Sequence, residues 1–355
     1  MTRNLKRLLL SLAAAILAIV GTIATIGYHS WNLIHSPFKG YETEHVQLEI
    51  RHGTDARTIL DRLDHEGVVA NSDLATYFLV YQLRDAPLQA GEYRFEGPLT
   101  TPEVLDQLIQ GRVVTYPVTI VEGLTLIETA SELSVSGFGS REIFESEMQS
   151  PRLIADLDPE ATNLEGYLFP DTYSFAKDTP EAEIVSTMVE NFRRRFEVAV
   201  SSLRDATDER SVRDVVILAS IVEKEARLDD ERGLIAGVYF NRLNRGIALY
   251  ADPTIIYALK LLGRWDGNLR RADLKLDSPY NTYVHPGLTP GPIASPGLAS
   301  LQAAAQPARV PYLYFVSRND GSHVFAKTLA EHNRNVYQWQ KLYWRQRWAK
   351  EKEGG

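Results

Sequence analysis

Apolar residues are spaced in three successive ways along the chain. From Leu8 to Tyr28 they run as LLLSLAAAILAIVGTIATIGY without a single charge, about the length a helix needs to cross the hydrocarbon core of a membrane. Residues 29–42 end in HSPFKGYE, a Pro- and Gly-bearing stretch without a period, and read as a linker. A shorter pattern then recurs. LEIRHGTDARTILDRL (48–63), YRFEGPLTTPEVLDQL (93–108) and VTIVEGLTLIETASEL (118–133) each give an alternating strand, a glycine turn and the opening of an amphipathic helix. The turn glycines are Gly53, Gly97 and Gly123, and the apolar stripes close on Leu63, Leu108 and Leu133. Thr54, Thr100 and Thr125 stand where a side-chain oxygen can satisfy the free N–H groups of a helix start.

From about residue 140 the period lengthens. Ile184, Met188, Phe192 and Phe196 recur every fourth residue, the apolar stripe of a helix, and LIAGVYFNRLNRG (234–246) reads as another helix ended by Gly246. Residues 277–297, DSPYNTYVHPGLTPGPIASPG, hold five prolines and three glycines, which forbid regular structure and mark a long loop of the kind that carries function. The fold class expected is α+β: a small strand-and-helix subdomain followed by a larger mixed α/β domain. The division expected is a tail (1–7), a transmembrane helix (8–28), a linker (29–42), the small region (43–139), a catalytic domain (140–345) and a polar tail (346–355). The first two repeats, with GVVANSDLATYFLVYQL between them, resemble the LysM-like module of bacterial wall proteins, which binds glycan in a shallow groove; a spacing domain that binds nothing is the alternative.

Charge narrows the partners. A formal net charge of -8 argues against a surface built for nucleic acid. With no cysteine there is no disulfide, thiolate nucleophile or cysteine metal site. Arg3, Lys6 and Arg7 precede the apolar span while Glu42, Glu44 and Glu49 follow it, so the positive-inside bias leaves the N-terminus in the cytoplasm and everything after residue 29 outside. The span is longer than the core of a cleaved signal and no small-x-small site follows it, which favours a single-pass anchor over a removed leader.

The chemistry is suggested by VVILASIVEKEA (215–226), where an apolar run ends in Glu223 and Glu225. Ser211 and Asp214 form a capping box ahead of it. On the helix they open, Val215, Leu218, Val222 and Glu225 share one stripe, and Glu223 lies about 200° around from Glu225. As a strand the same residues would place both glutamates on one face. A carboxyl extending a buried stripe is partly desolvated, keeps its proton near neutrality and suits general-acid cleavage of a glycosidic bond. The alternative is a helix-end glutamate paired with Lys224, Arg227 or Arg232. NLEGYLFPDTYSF (163–175), YADPTIIYAL (250–259) and SPYNTYVHPGLTPGPIASPG (278–297) supply aromatic faces, amides and hydroxyls, the inventory of a carbohydrate cleft.

EGYLFPDTY, LASIVEKEA, ADPTIIYAL, YNTY and LTPGPIASPG, in this order, resemble the bacterial endolytic murein transglycosylases, a YceG-like family formerly described as aminodeoxychorismate lyase-like. The resemblance runs from the apolar span through PYLYFVSRNDGSHVFAKTLAEHN. It implies an inner-membrane anchor, a LysM-like subdomain and a wall-facing catalytic domain that cuts peptidoglycan glycan strands. The second glutamate of EKE, Glu225 here, is the catalytic one that the resemblance implies. It would protonate the oxygen between N-acetylmuramic acid and N-acetylglucosamine, then help remove the C6 hydroxyl proton as a 1,6-anhydro ring closes, without water. Glu165, Tyr167, Asp171, Asp252, Asn281 and Tyr283 are the candidates for holding the sugars.

Two rivals stay open. A hydrolase would use Glu225 with Glu223, Glu165 or Asp252 across the cleft, and a non-catalytic scaffold would bind glycan and space synthases at the membrane. Peptidoglycan synthases are the candidate protein partners. No cofactor is expected, since no phosphate-cradling glycine loop precedes a suitable lysine. His323 and His332, nine apart, fit no zinc motif and read as core or surface histidines.

Overall fold

No residue between the apolar segment and Pro37 breaks a helix, and in the computed structural model, which describes residues 3–201 and 210–345, α1 accordingly runs from Arg3 to His35. The expected polar tail 346–355 and the first two residues of the expected 1–7 tail lie outside the described residues. Residues Lys6–His35 are long and apolar enough to cross a membrane. Residues 29–35, expected as linker, are helical. The helix stops because the residue before a proline is pushed out of the α region.

The chain forms two compact units, Met1–Tyr116 with Ser174–Asp178, and Pro117–Tyr173 with Thr179–Gly355. The boundary expected between 139 and 140 lies inside the second, and so does the whole of the third repeat.

In the first unit, β1 (His45–Ile50) pairs antiparallel with β2 (Gly91–Glu96), His45 opposite Glu96 and Ile50 opposite Gly91. Helices α2 (Ala56–His65), α3 (Ser72–Tyr81) and α4 (Thr101–Ile109) bury Leu60, Leu63, Leu79, Leu105 and Leu108 together with Tyr93 and Phe95. Ile34 of α1 is buried as well, and the chain after it is strapped down by paired hydrogen bonds between Phe38 and Leu99 and by Gly40 N–H on the Gly67 carbonyl. The repeat glycines adopt left-handed φ values of 79°, 69° and 78° at Gly53, Gly97 and Gly123, a region that costs a side-chain-bearing residue energy. Thr100 caps α4 in a capping box with Glu103. Thr54 does not cap α2: the carboxylate of Asp55, one residue later, accepts the Thr58 N–H, and the Thr54 hydroxyl donates back to the Arg51 carbonyl at 2.8 Å.

Along the rest of the chain β3 (Tyr116–Thr119) leads to α5 (Leu126–Val135), capped by Thr125 with Glu128, and to α6 (Arg141–Met148). Strand β4 (Thr172–Phe175) pairs with β3, and α7 (Glu181–Ser201) follows with Ile184, Met188, Phe192 and Phe196 buried as its stripe requires. Then come α8 (Val212–Glu225), α9 (Asp229–Leu243), α10 (Asp252–Leu261), α11 (Leu298–Ala305), the antiparallel pair β5 (Tyr314–Ser317) and β6 (His323–Ala326), and α12 (Leu329–Val336). The Ser211–Asp214 capping box is present, so the Glu223 and Glu225 segment is helix and not strand. Every residue of α8 from Val215 to Val222 is buried, against α9, α10 and α11. The molecule is mixed α+β, its sheets all two-stranded among the described residues.

Candidate active site

Glu225 is the last residue of α8, and its carboxylate faces a cavity of about 630 Å³ within the second unit. The walls come from distant stretches of chain: Tyr239 and Arg242 of α9, Tyr250 and Asp252 at the start of α10, Tyr283 of the proline-rich loop, and Tyr314, Phe315 and His323 of the β5–β6 hairpin. Tyr239, buried behind Glu225, donates its hydroxyl to Glu225 Oε1 at 2.9 Å.

Burial raises the Glu225 carboxyl to about 7; the Tyr239 hydrogen bond opposes the rise and the charge of Asp252 adds to it. The helix-end ion pair is not formed: Lys224 Nζ donates to the Gly123 carbonyl at 2.9 Å, and Arg232 pairs with Glu223 at 3.5 Å. Arg242, the guanidinium lining the cavity, is held by the carbonyls of Leu313, Ala248 and Leu249. Among the described residues no cation pairs with Glu225, so its part-buried carboxyl, met by the Tyr239 hydroxyl alone among side chains, is a readily protonated one.

The two glutamates part as the helical wheel requires. Glu223 Oε2 accepts the Gly297 N–H at 3.0 Å, ahead of α11, so its carboxylate fixes a helix start.

Asp252 and Tyr283 share the cavity with Glu225 and are joined to each other, Tyr283 donating its hydroxyl to Asp252 Oδ1 at 2.7 Å. Burial and that hydrogen bond push the Tyr283 hydroxyl well above its usual range. The other sequence candidates lie elsewhere. Asn281 is fully buried, donates to the Leu274 and Leu276 carbonyls at 3.2 and 2.7 Å and accepts the Tyr283 N–H at 3.0 Å, so it shapes the loop that presents Tyr283. Glu165 is buried at the start of α5, where both oxygens face Leu126 N–H and Oε2 accepts the Tyr257 hydroxyl at 3.1 Å. Burial raises it too to about 7, against those hydrogen bonds. Tyr167 is fully buried and donates to Asp158 at 2.6 Å. Asp171 is tied to Thr172 N–H, Asn191 and Arg195.

Sequence reasoning did not single out Tyr239, Arg242, Tyr250 or Tyr314, although YADP and PYLYF stood among the quoted segments. His323 and His332 also line the cavity: His323 Nδ1 lies 2.7 Å from Glu231 Oε2, and His332 stacks on Tyr314. Among the described residues no group of three or more His, Asp and Glu side chains is placed to hold a metal ion.

The model of the YceG-like family matches residues 48–338. A protein of Bacillus subtilis (strain 168) named endolytic murein transglycosylase is 32% identical over 305 residues, 81% of this chain and 83% of the relative. A Streptococcus pneumoniae (strain R6) protein of the same name is 29% identical over 332 residues, 84% of this chain but 59% of the streptococcal one. The crystal structure of a YceG-like protein from Listeria monocytogenes superposes with a TM-score of 0.54 at 30% identity, over 82% of this chain and 98% of that one.

Proposed function

Since the chain belongs to the YceG-like family, we propose that it is an endolytic murein transglycosylase, cutting the MurNAc-GlcNAc β-1,4 bond inside peptidoglycan strands and leaving 1,6-anhydroMurNAc ends. The observation that carries this reading is the state of Glu225: a carboxyl raised by burial to about 7, unpaired with any cation among the described residues, on a cavity walled by tyrosines. Near neutrality a large fraction of molecules holds the proton. Glu225 gives that proton to the glycosidic oxygen as the C1–O bond breaks. The carboxylate left behind, which accepts the Tyr239 hydroxyl, takes the proton of the muramic C6 hydroxyl as its oxygen closes on C1. Proton and ring close the balance without water, so no second carboxylate is required for activation. Tyr283 and Asp252 meet sugar hydroxyls in this reading, which their position on the same cavity as Glu225 supports.

A hydrolase is the second reading, and the observation in its favour is Asp252, a second carboxylate on the same cavity. Mass spectrometry of products from purified glycan strands separates the two. Internal fragments with 1,6-anhydro ends, lost in Glu225→Gln, support the transglycosylase. Reducing ends would replace it with the hydrolase.

In the same reading α1 is a single-pass anchor of the inner membrane, with residues 1–7 in the cytoplasm and the units outside; the basic residues Arg3, Lys6 and Arg7 support that side. The strand-and-helix region within 43–139 is a LysM-like module. A groove of about 410 Å³ beside β1 and α2, lined by Thr54, Thr58 and Arg62 among others, supports glycan contact there. An anchored cutter meets newly made strands first and ends their growth beside the synthases. Glycan chains of unaltered length in a deletion strain would refute that role.

A further inference from the structure

Tyr250 is the point where the backbone departs from its ordinary conformations at the rim of the cavity. Its φ is +52°, the left-handed region that a tyrosine rarely occupies and that glycine, asparagine or aspartate would fill more easily. The departure is held from Thr282, whose carbonyl accepts the Tyr250 N–H at 3.3 Å and whose Oγ1 accepts the Ala251 N–H at 3.0 Å. Its effect is to turn one side chain outward: Leu249 and Ala251 are 1% and 0% exposed, whereas Tyr250 between them is 50% exposed and lines the cavity with Glu225.

The ring is backed. Tyr283 lies 5.1 Å away at a tilt of 48°, and the Arg242 guanidinium lies 5.6 Å from the ring centroid. Neither neighbour depends on it for its place, since Arg242 is fixed by three carbonyls and stacks under Tyr314, and Tyr283 is fixed by Asp252. A strained backbone therefore carries a large, half-exposed aromatic side chain that the turn does not require and the core does not use.

We propose that Tyr250 is the stacking platform of this cavity, its ring packing against the apolar face of a pyranose of the glycan strand beside Glu225. The proposal rests on the reading of the cavity as a glycan site. The C–H face of a hexopyranose matches a flat aromatic surface, and a platform backed by other groups loses little freedom on binding. Tyr250 is a binding residue: it orients the sugar and moves no proton.

The test uses the full chain in detergent and glycan strands freed of stem peptides. On a Glu225→Gln background, which keeps strands intact, Tyr250→Gly and Tyr250→Ala weaken strand binding about tenfold, while Tyr250→Phe, which keeps the ring, stays within about threefold of its parent. With Glu225 restored, the glycine and alanine variants raise KM and leave kcat within about threefold. Tyr250→Gly melts no lower than wild type, because glycine takes this φ freely. If Tyr250→Ala fails to fold, the glycine variant carries the comparison. Strand binding by Tyr250→Gly within about twofold of its parent would overturn the platform. A wild-type chain that binds strands through Tyr250 and releases no fragments would leave the platform standing and remove the transglycosylase reading alone.

Discussion

The Tyr239 hydroxyl lies 2.9 Å from Glu225 Oε1, its donor carried by α9 and its acceptor by the end of α8. This one hydrogen bond favours the ionised carboxylate in a place where burial favours the acid. The pair so balanced has its proton available and its base form sheltered near neutral pH.

Removing the hydroxyl unbalances it. In Tyr239→Phe the Glu225 carboxyl rises further, so the alkaline limb of the rate profile moves to higher pH while kcat falls about tenfold, the loss of one good hydrogen bond to a charged group. A pH profile superimposable on wild type would show that Tyr239 does not govern the acid.

Glu225 and Glu165 also link stability to pH. Both sit at about 7 in the folded chain against an ordinary 4.5. Between those values the folded state holds protons that the unfolded state has released, so their contribution is full below about 4.5, declines as pH rises towards 7 and then levels, by about 3 kcal/mol for each group. Glu165→Gln removes one share. Melting measured at pH 5 and pH 8 should differ less in Glu165→Gln than in wild type, and an undiminished difference would contradict a Glu165 carboxyl raised by burial.

Glu225→Gln combines both consequences. Activity on glycan strands falls by about 10²- to 10⁴-fold, yet the variant melts higher than wild type at pH 8, because a charge held out of water has been removed. A melting temperature lowered at pH 8 would argue against that cost.

The neighbouring glutamate should behave oppositely. Glu223 meets Gly297 N–H and Arg232 in a nearly solvent-free contact, while Arg232 also keeps Asp229 and the Ser300 hydroxyl, so Glu223→Ala removes one charge-assisted contact and a helix-start acceptor and costs about 2 kcal/mol. Activity per folded molecule should persist. Loss of kcat in fully folded Glu223→Ala would move catalytic weight onto Glu223.

The glycine of EGYLFPD has a packing reason. Gly166 has φ +85°, and a Cβ there would collide with Pro292 and crowd Val216 of α8. Gly166→Ala should cost about 2–4 kcal/mol by strain and overpacking together, read as a lowered denaturant midpoint; a midpoint unchanged from wild type would mean the loop yields.

Much of this was legible along the chain. The apolar span, the three strand-glycine-helix repeats, the α7 stripe and the α8 capping box rest on contacts within about four residues, and local spacing states them directly. Where sequence reading and structure differ, a competitor close by won: Asp55 over Thr54 as a helix cap, and the absence of any breaker before Pro37, which carries α1 through residues 29–35.

By itself the sequence determined that, on the helix its Ser211–Asp214 capping box favours, Glu225 continues the stripe of Val215, Leu218 and Val222 while Glu223 points to another face. The tertiary structure alone decided who meets that carboxyl. Tyr239, Asp252 and Tyr283 reach one cavity from three elements, while Glu165, Tyr167, Asp171 and Asn281, from equally polar-aromatic segments, find partners in Leu126, Asp158, Asn191 and Leu276 instead. A buried polar group must be satisfied by whatever the fold brings within about 3 Å. Those partners come from elsewhere in the chain as well as from nearby turns, and no local pattern encodes that choice.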